Sequence, residues 1–375
     1  MLSFNERRGE KMRIAKRICK ICAVIISLVL LLMLLQEYIF YFDGYNAWRI
    51  RGFYKEEKNS LNAVFIGSSD FTTGFAPGIA YEEFGFTSYP VATDSATVKL
   101  WKSEIKEIRK HQDPDVIVVE LNGALYDDEA VVNDTNSARW YFDAVPLSMD
   151  KAVSVVEQNI KKEDKNNIVN MLFPMIKYHV KVSEAGKMIR EMLEFQSMSN
   201  MKLRGFMTTP KQDQPKPLLS YEKGKTLSLT ENSEKYLRDF LSYCKSENID
   251  NLLFVRFPHR IASEFAVDRV YRCNEAARII AEYGYDFVDY EQNNLMGIDF
   301  DTDFYNDDHV NVYGARKITN TFGAYLKENY RLTLRDVSQQ TKSSWDESAQ
   351  ITEKLFAYAD EHMGSGETIF EMPGD

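Results

Sequence analysis

Three side chains in this sequence have the types and positions that acyl-transfer chemistry needs. Ser69 follows an apolar run in a Gly-Ser-Ser-Asp turn, His309 lies in an Asn-Asp-Asp-His loop before a helix, and Asn122 follows a second apolar run. A serine hydroxyl becomes a nucleophile only beside a base, and histidine is the usual base because its pKa lies near neutral pH. The sequence therefore predicts Ser69 as the nucleophile and His309 as its base, brought together by the fold.

The remaining site roles are an oxyanion hole and a group that orients the imidazole. Donors for the oxyanion are expected from the backbone amide of Ser69, the side chain of Asn122 and an amide near Thr93. Either Asn306 or Asp307 is expected to orient His309. An asparagine can hold the ring by a hydrogen bond but cannot stabilise an imidazolium by charge.

The elements that must position these residues form an α/β pattern. Helical stretches alternate with five apolar runs, which are predicted as strands at residues 62–66, 86–92, 115–121, 251–257 and 285–289. Alternation of this kind predicts a doubly wound parallel sheet. Pro90 places the far part of the second strand at an edge or at a bulge. Because ligands bind at the carboxyl ends of parallel strands, the predicted site residues meet at one edge of the sheet.

The main domain is predicted over residues 60–330, with an insertion at about 150–230 and a C-terminal extension over 331–375. Half of the 14 methionines lie between residues 171 and 207, where no strand pattern is seen. This stretch is predicted to be helical. Its methionines either pack the insertion's own core or form an adaptable groove for an apolar ligand or partner.

Charge and hydropathy indicate a membrane rather than a nucleic acid. The net charge of −10 disfavours a nucleic-acid partner, yet residues 1–20 hold seven Lys/Arg and two Glu. An apolar stretch at 21–42 follows, long enough to span a bilayer. The positive-inside rule predicts a cytoplasmic segment at 1–20, a single-pass anchor and an extracytoplasmic C-terminal domain. The alternative is a cleaved signal peptide, which usually needs small residues after the apolar run, where Tyr and Phe stand instead.

No metal or cofactor is expected. An Asp-x-Asp-x-Asp run begins at Asp299, but the sixth position is Phe304 and the twelfth is Val310, which does not fit a calcium loop. Cys244 and Cys273 lie on two predicted helices and are either a disulfide or two buried thiols.

The order of these motifs resembles a known superfamily. Gly-Ser-Ser at 67–69, Asn122 after the third strand, and His309 followed by Asn-x-x-Gly are similar to the SGNH/GDSL hydrolases, and more narrowly to membrane-anchored bacterial proteins of the DltD type. The resemblance implies a flavodoxin-like fold and acyl transfer to cell-surface polymers. In that superfamily an Asp stands three residues before the histidine, where this chain has Asn306.

Two functions follow as expectations. The first is an extracytoplasmic serine esterase or O-acyltransferase acting on cell-surface glycans or teichoic-acid-like polymers, beside a membrane-bound O-acyltransferase. The second is a non-catalytic binding or scaffold partner of such an assembly, which Asn306 favours.

Overall fold

The computed structural model describes residues 4–41, 44–133, 136–159, 166–197 and 201–365. The strands are β1 (Ala63–Gly67), β2 (Ser88–Ala92), β3 (Val116–Glu120), β4 (Leu252–Arg256) and β5 (Asp286–Asp289). The helices are α1 (Phe4–Tyr38), α2 (Tyr45–Phe53), α3 (Ser69–Gly74), α4 (Pro77–Phe84), α5 (Val98–His111), α6 (Asp128–Asn133), α7 (Asn136–Phe142), α8 (Met149–Asn159), α9 (Asn166–Leu172), α10 (Pro174–Tyr178), α11 (Ala185–Ser197), α12 (Glu231–Ser246), α13 (Glu264–Glu282), α14 (Val312–Asn329) and α15 (Gln339–Glu361).

The five strands form one sheet in the order β2-β1-β3-β4-β5, and every pairing is parallel. The predicted α/β class with a parallel sheet is therefore confirmed. β2, with Pro90, lies at an edge as predicted. The strand order reverses direction between β1 and β3, so their carboxyl ends flank the crevice where a doubly wound sheet binds ligands.

Each face of the sheet is covered by helices because alternate strand residues point to opposite sides. Val64 and Ile66 of β1 pack on one side with Trp101 of α5 and Phe240 of α12. The other face of the sheet packs mainly against α3, α4, α14 and α15. Because both faces are covered, the ends of the strands are where the sheet itself can contribute to a site.

Helix α1 is longer than the predicted span. The 27-residue stretch Met12–Tyr38 contains an exposed apolar window of 18 residues, and by length and composition the helix is long enough to cross a membrane. The helix begins at Phe4 and ends at Tyr38, whereas the span was predicted at 21–42. The chain turns there because Tyr41 is buried and donates a hydrogen bond from its hydroxyl to the Met188 carbonyl, 3.0 Å away. Residue 42 lies outside the described residues.

Helix α11 belongs to the methionine-rich stretch and packs against the end of α1. Met188, Met192 and Phe195 of α11 pack around Tyr41 and Trp48, and we call these five residues the aromatic–methionine cluster. Among the described residues between β3 and α12 there are helices and loops but no strand.

The C-terminal region packs against the core. Helix α15 lies on α4 and buries Trp345, whose ring stacks under the Arg204 guanidinium at 4.2 Å. Arg204 also donates to the buried Glu56 carboxylate at 2.6 Å. Cys244 and Cys273 are buried free thiols.

Candidate active site

Ser69 lies where β1 gives way to α3, with its hydroxyl beside the histidine ring. The Oγ atom is 2.6 Å from Nε2 of His309, although 240 residues separate the two. The turn requires a small residue at position 67, since a Cβ on Gly67 would come within 3.0 Å of the Glu120 side chain. Ser68, in contrast, is buried and donates its hydroxyl hydrogen to Asp70 at 2.5 Å.

The loop before α14 holds His309 in one orientation. Nδ1 lies 3.0 Å from Oδ1 of Asn306, and the same oxygen accepts the backbone N–H groups of Asp308 and His309 at 2.9 and 2.8 Å. An amide oxygen only accepts, so Nδ1 carries the ring hydrogen and Nε2 is left to accept from Ser69. The ring of Tyr305 stacks on the imidazole at 5.5 Å.

Asp307 does not face the imidazole. Its carboxylate lies 2.8 Å from the Lys216 ammonium and 3.6 Å from the Arg260 guanidinium. Its side chain is 41% exposed, against the largely enclosed ring of His309. Of the two candidates for orienting His309, the structure places Asn306 at Nδ1.

The surroundings of His309 keep its imidazole ring neutral at pH 7. Burial lowers its pKa below 6.5, and the carboxylates of Asp70 and Asp308 only partly oppose that shift. A neutral imidazole with a free Nε2 lone pair is the form that can take a proton from a hydroxyl.

Asn122 lies in the 3-10 turn that follows β3, Leu121–Ala124. Its Nδ2 donates to Oδ2 of Asp70 at 3.1 Å and lies 3.4 Å from the Tyr126 hydroxyl. Gly123 lets this turn pack closely on the loop after β2, since a Cβ there would meet the Ala96 carbonyl oxygen at 2.6 Å. Ser69 and Asn122 line one cavity.

The third predicted donor position, Thr93, does not line the cavity. Thr93 is fully buried, and the loop after β2 reaches the cavity wall through Ser95 and Thr97 instead. Ser95 has φ +56°, a left-handed conformation that is uncommon for a residue with a side chain. The structure thus brings Ser69, His309, Asn306 and Asn122 together, and leaves Thr93 and Asp307 outside the cavity lining.

The cavity is open to solvent and holds about 640 Å³. Its wall opposite Ser69 carries Phe265 and Arg269 of α13. The buried Arg269 guanidinium pairs with the Asp308 carboxylate and lies 3.4 Å from the side-chain oxygen of Asn122. The asparagine oxygen is therefore directed at a cation, and its NH₂ at Asp70 and the Tyr126 hydroxyl, which lines the cavity.

A buried ionic network lies beneath the site, and the sequence did not predict it. His259, which follows β4 by three residues, is 1% exposed and does not line the cavity. Its Nε2 is 2.7 Å from Asp70 and its Nδ1 is 2.9 Å from Glu291. Arg256 pairs with Glu291 at 3.0 Å and with Glu120 at 3.3 Å. The signal for it was present, because Glu120 and Arg256 are charges at the ends of otherwise apolar strands.

The network is arranged to balance its charges. Burial and Arg256 lower the pKa of His259, but Asp70 and Glu291 outweigh them and raise it to about 9. Burial raises the pKa of Asp70, and the His259 cation opposes this strongly enough to hold it below its usual range. Burial raises the pKa of Glu120 to about 8. The network therefore sets two cations, Arg256 and His259, against the carboxylates of Asp70 and Glu291, and Glu120 is the carboxyl group whose burial most favours its protonated form.

A scan against models of known protein families gives no match for this chain, and a search of curated proteins finds no relative. The case for a function therefore depends on the geometry of the site itself.

Proposed function

We propose that this chain is a serine esterase or O-acyltransferase with Ser69 as nucleophile and His309 as base. The observation that carries the proposal is the 2.6 Å contact between Ser69 Oγ and His309 Nε2, in which the ring is oriented by Asn306. The parallel sheet and the motif order support membership of the SGNH/GDSL type. The position of the pair beside the β1/β3 crevice supports a ligand-binding role.

In the first half-reaction Ser69 Oγ attacks the carbonyl carbon of an acyl ester while its proton passes to Nε2 of His309. The oxyanion that forms is stabilised by the Ser69 backbone N–H and by Asn122. One hydrogen of the Asn122 NH₂ goes to Asp70, and the other, which lies 3.4 Å from the Tyr126 hydroxyl, turns from that long contact to the oxyanion. Collapse expels the alcohol, which takes the proton from His309, and leaves an acyl-serine.

In the second half-reaction His309 takes a proton from water or from a sugar or polymer hydroxyl, which attacks the acyl-serine. The same donors stabilise the second oxyanion, and Ser69 recovers its proton. Water as acceptor gives hydrolysis, and a hydroxyl gives transfer. Asn306 orients the ring without adding a negative charge, so the imidazolium is stabilised mainly by Asp70 and Asp308.

The anchor-like α1 supports a site facing the cell envelope, with the N-terminus in the cytoplasm. Its substrates would be ester-linked acyl groups on cell-surface glycans or teichoic-acid-like polymers. A membrane-bound O-acyltransferase would be the neighbour that supplies or receives the acyl group.

A fluorophosphonate probe tests the chemistry on the full chain in detergent. We expect covalent labelling that is lost in Ser69→Ala and His309→Ala and kept in Ser242→Ala, which removes an exposed hydroxyl on α12. Hydrolysis of p-nitrophenyl acetate should follow the same pattern. A folded protein that neither labels nor hydrolyses would support the scaffold function, which the neutral Asn306 favours.

A further inference from the structure

A second cavity lies between helix α1 and the helices after β3, far from the chemistry of Ser69. It holds about 510 Å³ and is lined by α1 on one side and by Leu147, Phe173, Met175 and Phe195 on the other. The α1 residues that face it are Val29, Leu32, Met33, Gln36 and Glu37. Most of this lining is apolar. Its charged members are two cations, Arg51 and Lys55, and two carboxylates, Glu37 and Asp143.

The position of this cavity along α1 indicates how deep it would lie in a bilayer. Val29 lies nine residues before Tyr38, the last residue of α1, which corresponds to about 14 Å along a helix. Residues 21–35 contain no charge, and about 20 residues are needed to cross the hydrocarbon. If α1 spans a bilayer, Val29 and Met33 lie inside the hydrocarbon, and so does whatever packs beside them. Helix α10, Pro174–Tyr178, contacts α1 and follows Phe173 directly.

The segment that includes α10 has the composition of an interfacial element. Phe173, Ile176, Val180 and Val182 are 42%, 48%, 70% and 63% exposed. Between residues 174 and 190 there are four Lys/Arg and one Glu, a net of +3 in a protein of net −10. Exposed apolar side chains interspersed with lysines are typical of a polypeptide segment that lies in the headgroup region of an anionic bilayer.

We propose that residues 173–182 are immersed in the membrane leaflet nearest α2, and that a lipid acyl chain fills the cavity between them and α1. The apolar surface of this segment is continuous with that of α1, which argues for lipid as the occupant. Arg51 lies at the cavity's polar end, where its Nη1 pairs with the Glu37 carboxylate at 2.6 Å. Its side chain is 10% exposed and its Nε has no hydrogen-bond partner among the described residues, which leaves one donor for a headgroup. This inference rests on the proposed membrane anchoring, but not on the catalytic role of Ser69.

Nitroxide labels on the full chain, reconstituted in phosphatidylglycerol vesicles, test the immersion. Cys244 and Cys273 are buried, so the exposed thiols to control are Cys19 and Cys22. One label goes on Ile176→Cys and a control label on Leu218→Cys, both with serine at positions 19 and 22. The exposed fractions of the two native side chains are closely matched, 48% and 46%. A third label goes on the native Cys22, with Cys19→Ser.

The measurement is the ratio of collision rates with oxygen, which enters lipid, and with a nickel complex, which stays in water. We expect the ratio at Ile176 to be several-fold above that at Leu218 and close to that at Cys22. A high ratio at Cys22 with a water-like ratio at Ile176 would overturn the immersion while leaving the anchor intact. The same result is expected if residues 173–182 bind a protein partner instead of lipid, because the vesicles contain no such partner. A water-like ratio at Cys22 would instead overturn the anchoring, and the inference with it.

A phospholipid carrying a diazirine in its acyl chain tests the cavity. Photolysis should label peptides that contain Phe173–Met175 and leave the peptide around Leu218 unlabelled. Labelling of α1 without labelling of residues 173–175 would show that the cavity does not admit an acyl chain.

Discussion

The side-chain oxygen of Asn306 lies 3.0 Å from Nδ1 of His309, on the side of the ring opposite Ser69. A carboxylate at this position would stabilise the imidazolium by charge as well as by hydrogen bonding. The amide supplies only the hydrogen bond, and two backbone N–H groups occupy the remaining capacity of its oxygen. The loop geometry is therefore that of a Ser–His–carboxylate site with the charge removed.

Restoring that charge should raise the rate. In Asn306→Asp a carboxylate next to the ring raises the pKa of His309, by about 1–3 units for such pairs, and stabilises the protonated ring that forms as Ser69 attacks. We expect kcat/KM for p-nitrophenyl acetate to rise roughly tenfold. Asn306→Ala, which frees the ring to rotate, should lower it by about 10².

The matched control is Asp307→Ala, one residue further along the same loop. Its carboxylate faces Lys216 and solvent, so kcat/KM should stay within a factor of about two. If Asp307→Ala lowers the rate as much as Asn306→Ala does, the loop rearranges in solution and Asp307 orients the ring.

The sequence predicted some features of this site and could not predict others. The strand pattern predicted the sheet, and the strand ends predicted Ser69 and Asn122, because apolar runs and turns are local signals. The choice between Asn306 and Asp307 could not be made, since it depends on where Lys216 and Arg260 lie in space. The insertion's contact with α1 was also missed, because methionine spacing does not reveal the packing partner.

Asp70 should affect catalysis through Asn122. Its Oδ2 accepts from the Asn122 amide at 3.1 Å and from the Ser68 hydroxyl, while Oδ1 lies against His259. In Asp70→Asn the amide of Asn122 loses its charged acceptor and its fixed direction. We expect kcat to fall by about 10² with KM little changed, the effect of a lost oxyanion donor.

A double-mutant cycle separates positioning from general damage. The double variant should lose clearly less than the sum of the two single losses, because Asn122→Ala and Asp70→Asn share the effect on one hydrogen-bond donor. Asp70→Asn also removes a carboxylate that stabilises the His309 imidazolium, so it should cost more than Asn122→Ala. Fully additive losses, or a raised KM alone, would show that Asp70 does not act through Asn122. Thermal melting of each variant checks that it is folded at the assay temperature.

The pH dependence of activity should follow His309. Because its pKa is lowered by burial, activity should be complete at pH 7 and fall only at more acidic pH, as the ring becomes protonated. Asp94, Asp70 and Asp308 raise this pKa and His259 lowers it. Asp308→Asn removes one of these carboxylates and leaves Arg269 without its partner, so the acid limb of kcat/KM should move to lower pH.

Asp307→Asn is the comparison for this pH profile as well. It removes a carboxylate from the neighbouring position, but that side chain points to Lys216 and not to the ring. Its acid limb should coincide with that of the native protein. An acid limb that does not move in Asp308→Asn would assign the limb to a group other than His309.

The buried network should make the fold less stable in alkali. The pKa of His259 is raised from 6.5 to about 9, so its stabilising contribution is complete below pH 6.5 and is lost as the pH rises through 9. Glu120, raised from 4.5 to about 8, acts in the same direction, since its contribution is complete below pH 4.5 and is lost as the pH rises through 8. We expect the melting temperature of the full chain in detergent to fall between pH 6.5 and 9.5, by an amount that corresponds to a few kcal/mol.

His259→Gln tests the origin of that slope. The variant leaves Asp70 and Glu291 without their cation and should be less stable at every pH, by about 3–5 kcal/mol at neutral pH. The informative quantity is the slope: without the titrating ring, the decline from pH 6.5 to 9.5 should be shallower than in the native protein. His362→Gln, at an exposed histidine near the end of α15, should give a curve parallel to the native one. If the His259→Gln curve is also parallel, the proton lost in alkali does not come from His259.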